Sequence, residues 1–262
     1  MAGRDLAPVD PVSRLPAPVR AEWAALAGPS PSAPAFDPHA VRDVPEPVRR
    51  WLVHAIAPGT PLRRRVELVQ HGRIRIGSWR TFTARQVTAG LEGYIWACAT
   101  RVFGVPVYGY DRLTAGGAAM VHRAFDRIPL VNETGPDLVR SAAGRLVSEM
   151  IWTPAVALDP AVTWSSGDDH SATAVVPYVG ENYEVNLAVD PGGRPRKVTM
   201  QRWARVDRGP YQLRRFGAEI HREATFGGFV VPTQVTAGYD DDSPRWPDCA
   251  FIEITVDEAT YF

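Results

Sequence analysis

Several features are scarce in this sequence of 262 residues, and each absence narrows the class of protein. The net charge is zero, because 29 basic residues balance 29 acidic ones, so charge alone predicts neither nucleic acid nor an anionic membrane as a partner. No run approaches the roughly 18 apolar residues that a membrane-spanning helix needs. The first twenty residues contain prolines and charges instead of the apolar core of a signal peptide. These absences predict a cytoplasmic protein with no integral membrane segment.

Residues that bind metals or act as nucleophiles are also scarce and scattered. The two cysteines, Cys98 and Cys249, lie far apart and have neither metal-ligand nor redox spacing. The pair His221 and Glu223 has strand spacing, but no third ligand accompanies it. No serine lies in a G-x-S-x-G elbow, and no glycine-rich loop matches a phosphate-binding loop. The sequence therefore predicts no metal site and no cofactor.

The composition separates an N-terminal arm from one large domain. Residues 1–44 are rich in proline and alanine and predict an irregular arm that contains a short helix over Pro18–Gly28. Residues 45–262 read as a single domain, with 45% hydrophobic and 22% charged residues in the whole chain, as in soluble globular proteins. A helix is predicted near residues 45–57, because prolines occupy its start and Pro58 follows its end.

From Leu62 onward the apolar residues recur every second position, which predicts strands. Glycine-containing turns separate most of these runs, so neighbouring strands must be antiparallel, since parallel strands need a long crossover. About eleven strands are expected, and a sheet of that size tends to curl. The predicted fold is mainly β: a single curved antiparallel sheet, or open half-barrel, whose concave side must be filled by side chains, helices or a ligand.

One convincing helix, residues 136–152, interrupts the strands. Pro136 fits the first turn, and Asp137 places a negative charge at the positive end of the helix dipole. Thr153 precedes Pro154, and a residue before proline is disfavoured in the helical conformation, so the helix is expected to end there. Its apolar stripe consists of Val139, Ala142, Ala143, Leu146 and Met150. This stripe predicts a helix that covers the concave side of the sheet.

Beside the apolar stripe, Arg145, Glu149 and Trp152 form a second row at helical spacing. One interpretation is a structural ion pair packed under an indole ring, which anchors the helix to the sheet. The other is a ligand site that orients a polar head group, in which Arg145 binds an anion and Glu149 accepts a hydrogen bond. The sequence leaves both interpretations open.

Two strand residues, Arg101 and Asp111, share a face with mostly apolar neighbours. A charge on an apolar face is costly unless it is paired, so both are candidate ligand-binding residues. The alternative is that they pair with charges on neighbouring strands or lie on an outward face.

Several segments resemble a known family. They are Pro45–Leu62 (PEPVRRWLVHAIAPGTPL), Gly72–Gln86 (GRIRIGSWRTFTARQ), Arg145–Pro154 (RLVSEMIWTP) and Gly227–Val235 (GGFVVPTQV). Over residues 44–258 the chain resembles a bacterial family of unknown function that is common in actinobacteria. The order of strands with a covering helix is also similar to the half-barrel of the lipoprotein-carrier superfamily, which binds acyl chains on its concave side. The resemblance implies a fold, and fold likeness is weak warrant for function.

Three functional hypotheses follow. The first is binding of a hydrophobic or lipid-like small molecule on the concave side without catalysis, and dense filling of that side by the protein's own side chains would exclude binding in a preformed hollow. The second is an enzyme in the same place with Glu149 or Asp111 as general base, which a raised carboxylate pKa beside an open pocket would favour. The third is a scaffold or interaction module, which a large exposed apolar patch would favour.

Overall fold

The computed structural model describes residues 10–29, 33–205, 209–244 and 246–262. In this part of the chain a single sheet of thirteen strands dominates, two more than the roughly eleven expected from sequence. The strands are β1 (Arg65–Ile76), β2 (Ser78–Ala89), β3 (Gly93–Val102), β4 (Val105–Thr114), β5 (Gly117–Ala124), β6 (Ile128–Thr134), β7 (Thr163–Ser166), β8 (Ser171–Tyr178), β9 (Glu181–Val189), β10 (Pro195–Ala204), β11 (Gln212–Phe226), β12 (Phe229–Tyr239) and β13 (Ala250–Tyr261).

The helices are few and short. They are α1 (Ala17–Leu26), α2 (Glu46–Ala55), α3 (Pro136–Ser148) and α4 (Trp246–Cys249), with 3-10 segments at Pro11–Arg14, Pro38–Val41, Glu149–Trp152 and Pro154–Leu158. The helices predicted near residues 45–57 and 136–152 are thus present. None of the described helices is long and apolar enough to cross a membrane.

The third helix begins and ends where local chemistry requires. Gly135 enters it with φ of 111°, a conformation that favours glycine, and Pro136 occupies the first turn. After Ser148 the chain tightens into the 3-10 turn Glu149–Trp152. Thr153, which precedes Pro154, leaves the helical region with φ of −132° and ψ of 65°.

The sheet consists of two meanders joined edge to edge. The spatial order is β6-β5-β4-β3-β2-β1-β13-β12-β11-β10-β9-β8-β7, and every described pairing is antiparallel. Because consecutive strands alternate in direction, the turns β1–β2, β3–β4 and β5–β6 lie at one end of the first meander. We call this the tip end.

The sheet curls so strongly that distant strands meet. Strands β6 and β10 are nine positions apart and would be separated by about 40 Å in a flat sheet. Yet Glu133 of β6 pairs with Arg205, which follows β10. The helix α3 touches both β4–β6 and β9–β10 and therefore lies inside the curve. The expected curved sheet with a covering helix is confirmed.

The concave side is packed. The main core fills it with α2, α3 and the 3-10 segments as well as strand side chains, and Trp51, Leu52, Ile56, Leu68 and Phe229 are among its fully buried members. The helix α3 is buried almost all round from Ala142 to Ser148. The protein's own side chains therefore occupy most of the space that the curvature creates.

A second, smaller core lies on the convex face. Leu15, Val19, Trp23 and Leu26 of the N-terminal arm pack against outward-facing apolar residues of β2–β5. Within the arm predicted over residues 1–44, residues 10–28 thus form a strap on the convex face, whereas Phe36 and Val41 belong to the main core. Residues 1–9 and 30–32 lie outside the described residues.

Candidate functional site

Strand alternation brings polar residues to the centre of the concave side. In the register of β3, β4 and β5, Cys98 lies opposite Gly109, which lies opposite His122. Two residues further along β4, on the same face of the sheet, Asp111 lies between Trp96 of β3 and Met120 of β5. Asp111 shares this face with Leu113, which is fully buried in the main core. The apolar face on which the sequence places Asp111 is therefore the concave face of the sheet.

His122 joins these two rows. Its Nε2 lies 2.9 Å from Oδ1 of Asp111, and its Nδ1 lies 3.9 Å from Sγ of Cys98. The ring can cross β4 because residue 109 is glycine: a Cβ there would collide with the imidazole and with the backbone of Val121. A glycine inside a strand often marks such a close approach, and Gly109 is the sequence signal that could have pointed to His122.

Arg145 connects this strand pair to α3. Its Nε donates to Oε1 of Glu149 at 2.7 Å, and one terminal nitrogen lies 3.2 Å from Oδ2 of Asp111. The other terminal nitrogen donates to Oε1 of Gln86 at 3.1 Å. The amide of Gln86 in turn donates to Oε2 of Glu149 at 2.6 Å. The guanidinium also lies over the ring of Tyr94, 4.7 Å from its centroid. All the polar groups of Arg145 therefore have partners.

Gln70 on β1 completes the group and is only partly satisfied. Its side chain is 2% exposed, and its Oε1 accepts from the indole Nε1 of Trp96 at 3.0 Å. An indole N–H only donates, so this contact fixes which end of the amide is the oxygen. The Nε2 of Gln70 has no hydrogen-bond partner among the described residues. We call Gln70, Gln86, Asp111, His122, Arg145 and Glu149 the inner polar cluster.

The charges of the cluster stabilise one another. Burial alone would lower the pKa of His122, but the hydrogen bond to Asp111 and the charge of that carboxylate raise it to about 10. Burial would raise the pKa of Asp111, but His122 and Arg145 hold it below its usual value. At neutral pH the histidine is therefore an imidazolium ion between a carboxylate and the sulfur of Cys98.

These protonation states do not suit a thiolate nucleophile or a general base. Burial raises the pKa of the Cys98 thiol, with only partial opposition from His122, so the sulfur is not a thiolate at neutral pH. Asp111 accepts from His122 and Arg145 and has a lowered pKa, the opposite of a poised general base. Asp111 therefore lacks the raised pKa that would favour a general base, and His122 and Arg145 neutralise its charge.

The cluster is shielded but not sealed. The side chains of Asp111, Glu149, Arg145 and His122 keep 15%, 13%, 16% and 17% of their surface exposed. The neighbouring Arg202 lies over the ring of Phe216 at 5.3 Å and donates to the carbonyl of Ser141 at 3.3 Å. Among the described residues no carboxylate pairs with it, so the region carries one excess positive charge.

Of the five predicted site residues, three meet in this cluster: Asp111, Arg145 and Glu149. Trp152 is elsewhere, because the segment after α3 crosses the sheet towards β12 instead of following one strand. Its Nε1 donates to the carbonyl of Pro232 at 3.0 Å, and its own carbonyl accepts from the hydroxyl of Tyr261 at 2.8 Å. Both contacts are structural anchors.

Arg101, a candidate ligand-binding residue, does not reach the concave side and lies on the outward face that the sequence left open as the alternative. Arg101 shares a face with Ile95 and Ala97, as alternation requires, but that face is the convex one. Its apolar neighbours are covered by the N-terminal strap, while Arg101 lies beyond the strap, is exposed and donates to the carbonyl of Gly104 at 3.1 Å.

A groove of about 360 Å³ lies away from the cluster, along the outer side of β8–β11. Its lining is mixed and includes Arg140, Glu181, Asn186, Gln201 and Trp203. The guanidinium of Arg140 lies 4.1 Å from the ring centroid of Trp203. Among the described residues there is no group of three or more His, Cys, Asp or Glu residues that could hold a metal ion.

The family described as "Family of unknown function (DUF6544)" matches residues 34–250. The chain belongs to this family. The expected resemblance to a family of unknown function is thereby confirmed. The matched range contains every member of the inner polar cluster, whereas α1 precedes it. No curated protein matches the chain.

Three solved structures are similar to the chain. A LolA-superfamily protein from Nitrosomonas europaea has 10% identity, covers 76% of this chain and 85% of its own, and has a TM-score of 0.37. A putative outer membrane lipoprotein-sorting protein domain from Vibrio parahaemolyticus has 10% identity, coverages of 75% and 85%, and a TM-score of 0.38. A DUF1329-family protein from Desulfovibrio piger has 11% identity, coverages of 76% and 86%, and a TM-score of 0.42.

Proposed function

We propose that this protein binds a small amphiphilic molecule on the concave side of its sheet, in the cytoplasm and without catalysis of its own. The observation that carries the proposal is the inner polar cluster: within an otherwise apolar core, four charged side chains keep partial access to water. The dense packing counts against a large preformed cavity. The proposal is therefore restricted to a ligand whose polar end reaches the cluster and whose apolar part displaces adaptable side chains.

The polar end of the ligand would contact two groups of the protein, the amide of Gln70 and the guanidinium of Arg202. A buried amide N–H without a partner costs about 1–3 kcal/mol, so Nε2 of Gln70 favours a ligand that supplies an acceptor oxygen. Arg145 and His122 are balanced by Asp111 and Glu149, which leaves Arg202 as the excess charge. An anionic head group, such as a carboxylate, matches this arrangement.

The apolar end of the ligand would enter a part of the main core whose side chains can rearrange. Met120, Met150 and Met200 all pack into the main core around α3. Methionine is unbranched and flexible, so it fills irregular space and gives way more readily than β-branched residues. Gly144 of α3 adds to this adaptability, because Met200 and Arg202 pack directly over its missing side chain.

Native mass spectrometry of the purified protein, followed by organic extraction, tests the proposal. We expect a bound amphiphile, or formation of a complex on addition of oleate, with weaker binding of oleyl alcohol and of oleylamine. Arg202→Met should weaken oleate binding by about tenfold, as expected for loss of one charge-assisted contact. Arg222→Met is the matched control, because Arg222 is an exposed arginine without a described carboxylate partner. A clean apo mass with no oleate complex would overturn the proposal, as would equal effects of the two substitutions.

A further inference from the structure

Four of the eight exposed large apolar side chains of the described residues lie at the tip end of the first meander, and the other four are Val53, Leu130, Val179 and Leu213. Ile76 is the last residue of β1, and Ile128 is the first residue of β6. Phe103 lies in the β3–β4 turn and Phe125 in the β5–β6 turn. The exposed fractions of Ile76, Ile128, Phe103 and Phe125 are 42%, 57%, 86% and 55%. The opposite turns of the same meander, at residues 90–92 and 115–116, expose no large apolar side chain in the described structure. We call Ile76, Phe103, Phe125 and Ile128 the apolar rim.

Two of these residues are unfavourable in the folded protein taken alone. Phe103 and Phe125 have positive φ angles of 51° and 55°, in the left-handed region where glycine and asparagine are favoured. Phe103 gains little packing in return, since its only described ring contact is with the guanidinium of Arg80, 4.7 Å away. An exposed phenylalanine with a strained backbone does not stabilise the fold, so a binding partner is the better explanation for it.

The charges around the rim have one predominant sign. Residues 73–80, 101–106 and 123–130 contain six arginines and only one acidic residue, Asp126, although the whole chain is neutral. Asp126 is paired with Arg14, at 3.0 Å. In the described chain Arg80, Arg101 and Arg127 have no carboxylate partner. Arg73 is paired with Glu253 of the adjacent β13, so the unpaired positive charge lies behind Phe103, Phe125 and Ile128.

We propose that the apolar rim docks the protein on an anionic lipid surface. Aromatic and aliphatic tips backed by arginines match a bilayer interface, where apolar side chains enter the head-group region and cations meet lipid phosphates. The shape favours lipid over a protein partner, because the turns are separate projections about 10 Å apart instead of one continuous surface. This surface is distinct from the inner polar cluster, so the inference does not rest on the proposed ligand.

Cosedimentation with vesicles tests the inference. Wild-type protein should bind vesicles that contain phosphatidylglycerol, bind phosphatidylcholine vesicles weakly, and dissociate as salt is raised. The double variant Phe103→Ser, Phe125→Ser should lose at least about tenfold in affinity, because two apolar insertions are removed. Both positions are exposed, so the fold is expected to persist, and near-UV circular dichroism checks this.

The control is Val53→Ser, which removes an apolar side chain of 42% exposure from α2, outside the rim. It should bind vesicles like the wild type, and so should Arg202→Met, which separates this inference from the proposed ligand site. Absence of wild-type binding to anionic vesicles, or equal binding by the double variant, would overturn the inference. A wild-type dimer that the double variant converts to a monomer, without vesicle binding by either, would assign the rim to a second copy of the chain instead.

Discussion

The two faces of strands β3–β5 are both buried, but by different chemistry. On the convex face the N-terminal strap covers apolar side chains, and its ion pair lies at the edge: Arg112 meets Glu22, which is 32% exposed, at 2.6 Å. On the concave face the same strands present Asp111 and His122 to Arg145 within the main core. The convex pair, with side chains 19% and 32% exposed, can exchange a lost partner for water, whereas the charges of the inner polar cluster, 13% to 17% exposed, depend mainly on their protein partners. Charged residues on the two faces should therefore differ strongly in their effect on stability.

The largest expected effect is from Arg145→Met. It leaves Asp111 and Glu149 with fewer donors in the core, and removing one partner of a buried pair typically costs about 3–5 kcal/mol. Urea unfolding followed by tryptophan fluorescence measures this loss. Arg112→Met is the matched substitution on the convex face and should cost no more than about 1 kcal/mol. Equal losses for the two variants would remove the distinction between the faces.

A second effect is a dependence of stability on alkaline pH. The pKa of His122 is raised from 6.5 to about 10, so the folded protein holds this proton more tightly than the unfolded chain does. Its contribution of a few kcal/mol is fully present below about pH 6.5 and is lost as pH rises through about 10. Unfolding free energies measured from pH 6 to about 10 should therefore decline in the wild type.

His122→Gln is the control for that decline. Glutamine keeps a donor near Asp111 but cannot titrate, so the variant should be less stable at neutral pH and should show a flatter pH profile. Tyrosines titrate in both proteins and cancel in the comparison, whereas the titration of Cys98 depends on His122, so both proteins are compared in a Cys98→Ala background. Parallel profiles for the two proteins would show that His122 is not the linked group.

The smallest expected effect is from Glu22→Gln on the convex face. The pair with Arg112 is partly solvated, so its loss should change the unfolding free energy by no more than about 1 kcal/mol. The change should shrink further in high salt, because salt screens exposed charges. A loss comparable to that of Arg145→Met would mean that the strap is held mainly by charge instead of by Trp23 and its apolar neighbours.

Sequence patterns were sufficient for the elements and for part of the site. Alternation predicted the strands, glycines predicted the turns, and Pro136 and Pro154 bracketed the helix with its 3-10 extension. The i,i+4 spacing of Arg145 and Glu149 predicted their ion pair, observed at 2.7 Å. These inferences hold because they depend on residues within about four positions of one another.

The same patterns could not identify which face of a strand is concave. Both faces of β3 are apolar, because the strap buries the convex one, so the sequence left open which way Arg101 faces. His122 and Gln86 have no signal in their own strands. The register of β4 and β5 brings His122 to Asp111, and the packing of α3 on the sheet brings Gln86 to Arg145.

By itself the sequence determined element types, the antiparallel order within each meander, and the charged row on α3. The tertiary structure alone decided how far the sheet curls, that α3 fills the curve, and which charges become buried partners. The physical reason is the distance along the chain over which each effect acts. Propensity and alternation act between near neighbours, whereas curvature accumulates the twist of thirteen strands and lets residues as distant as Glu133 and Arg205 meet.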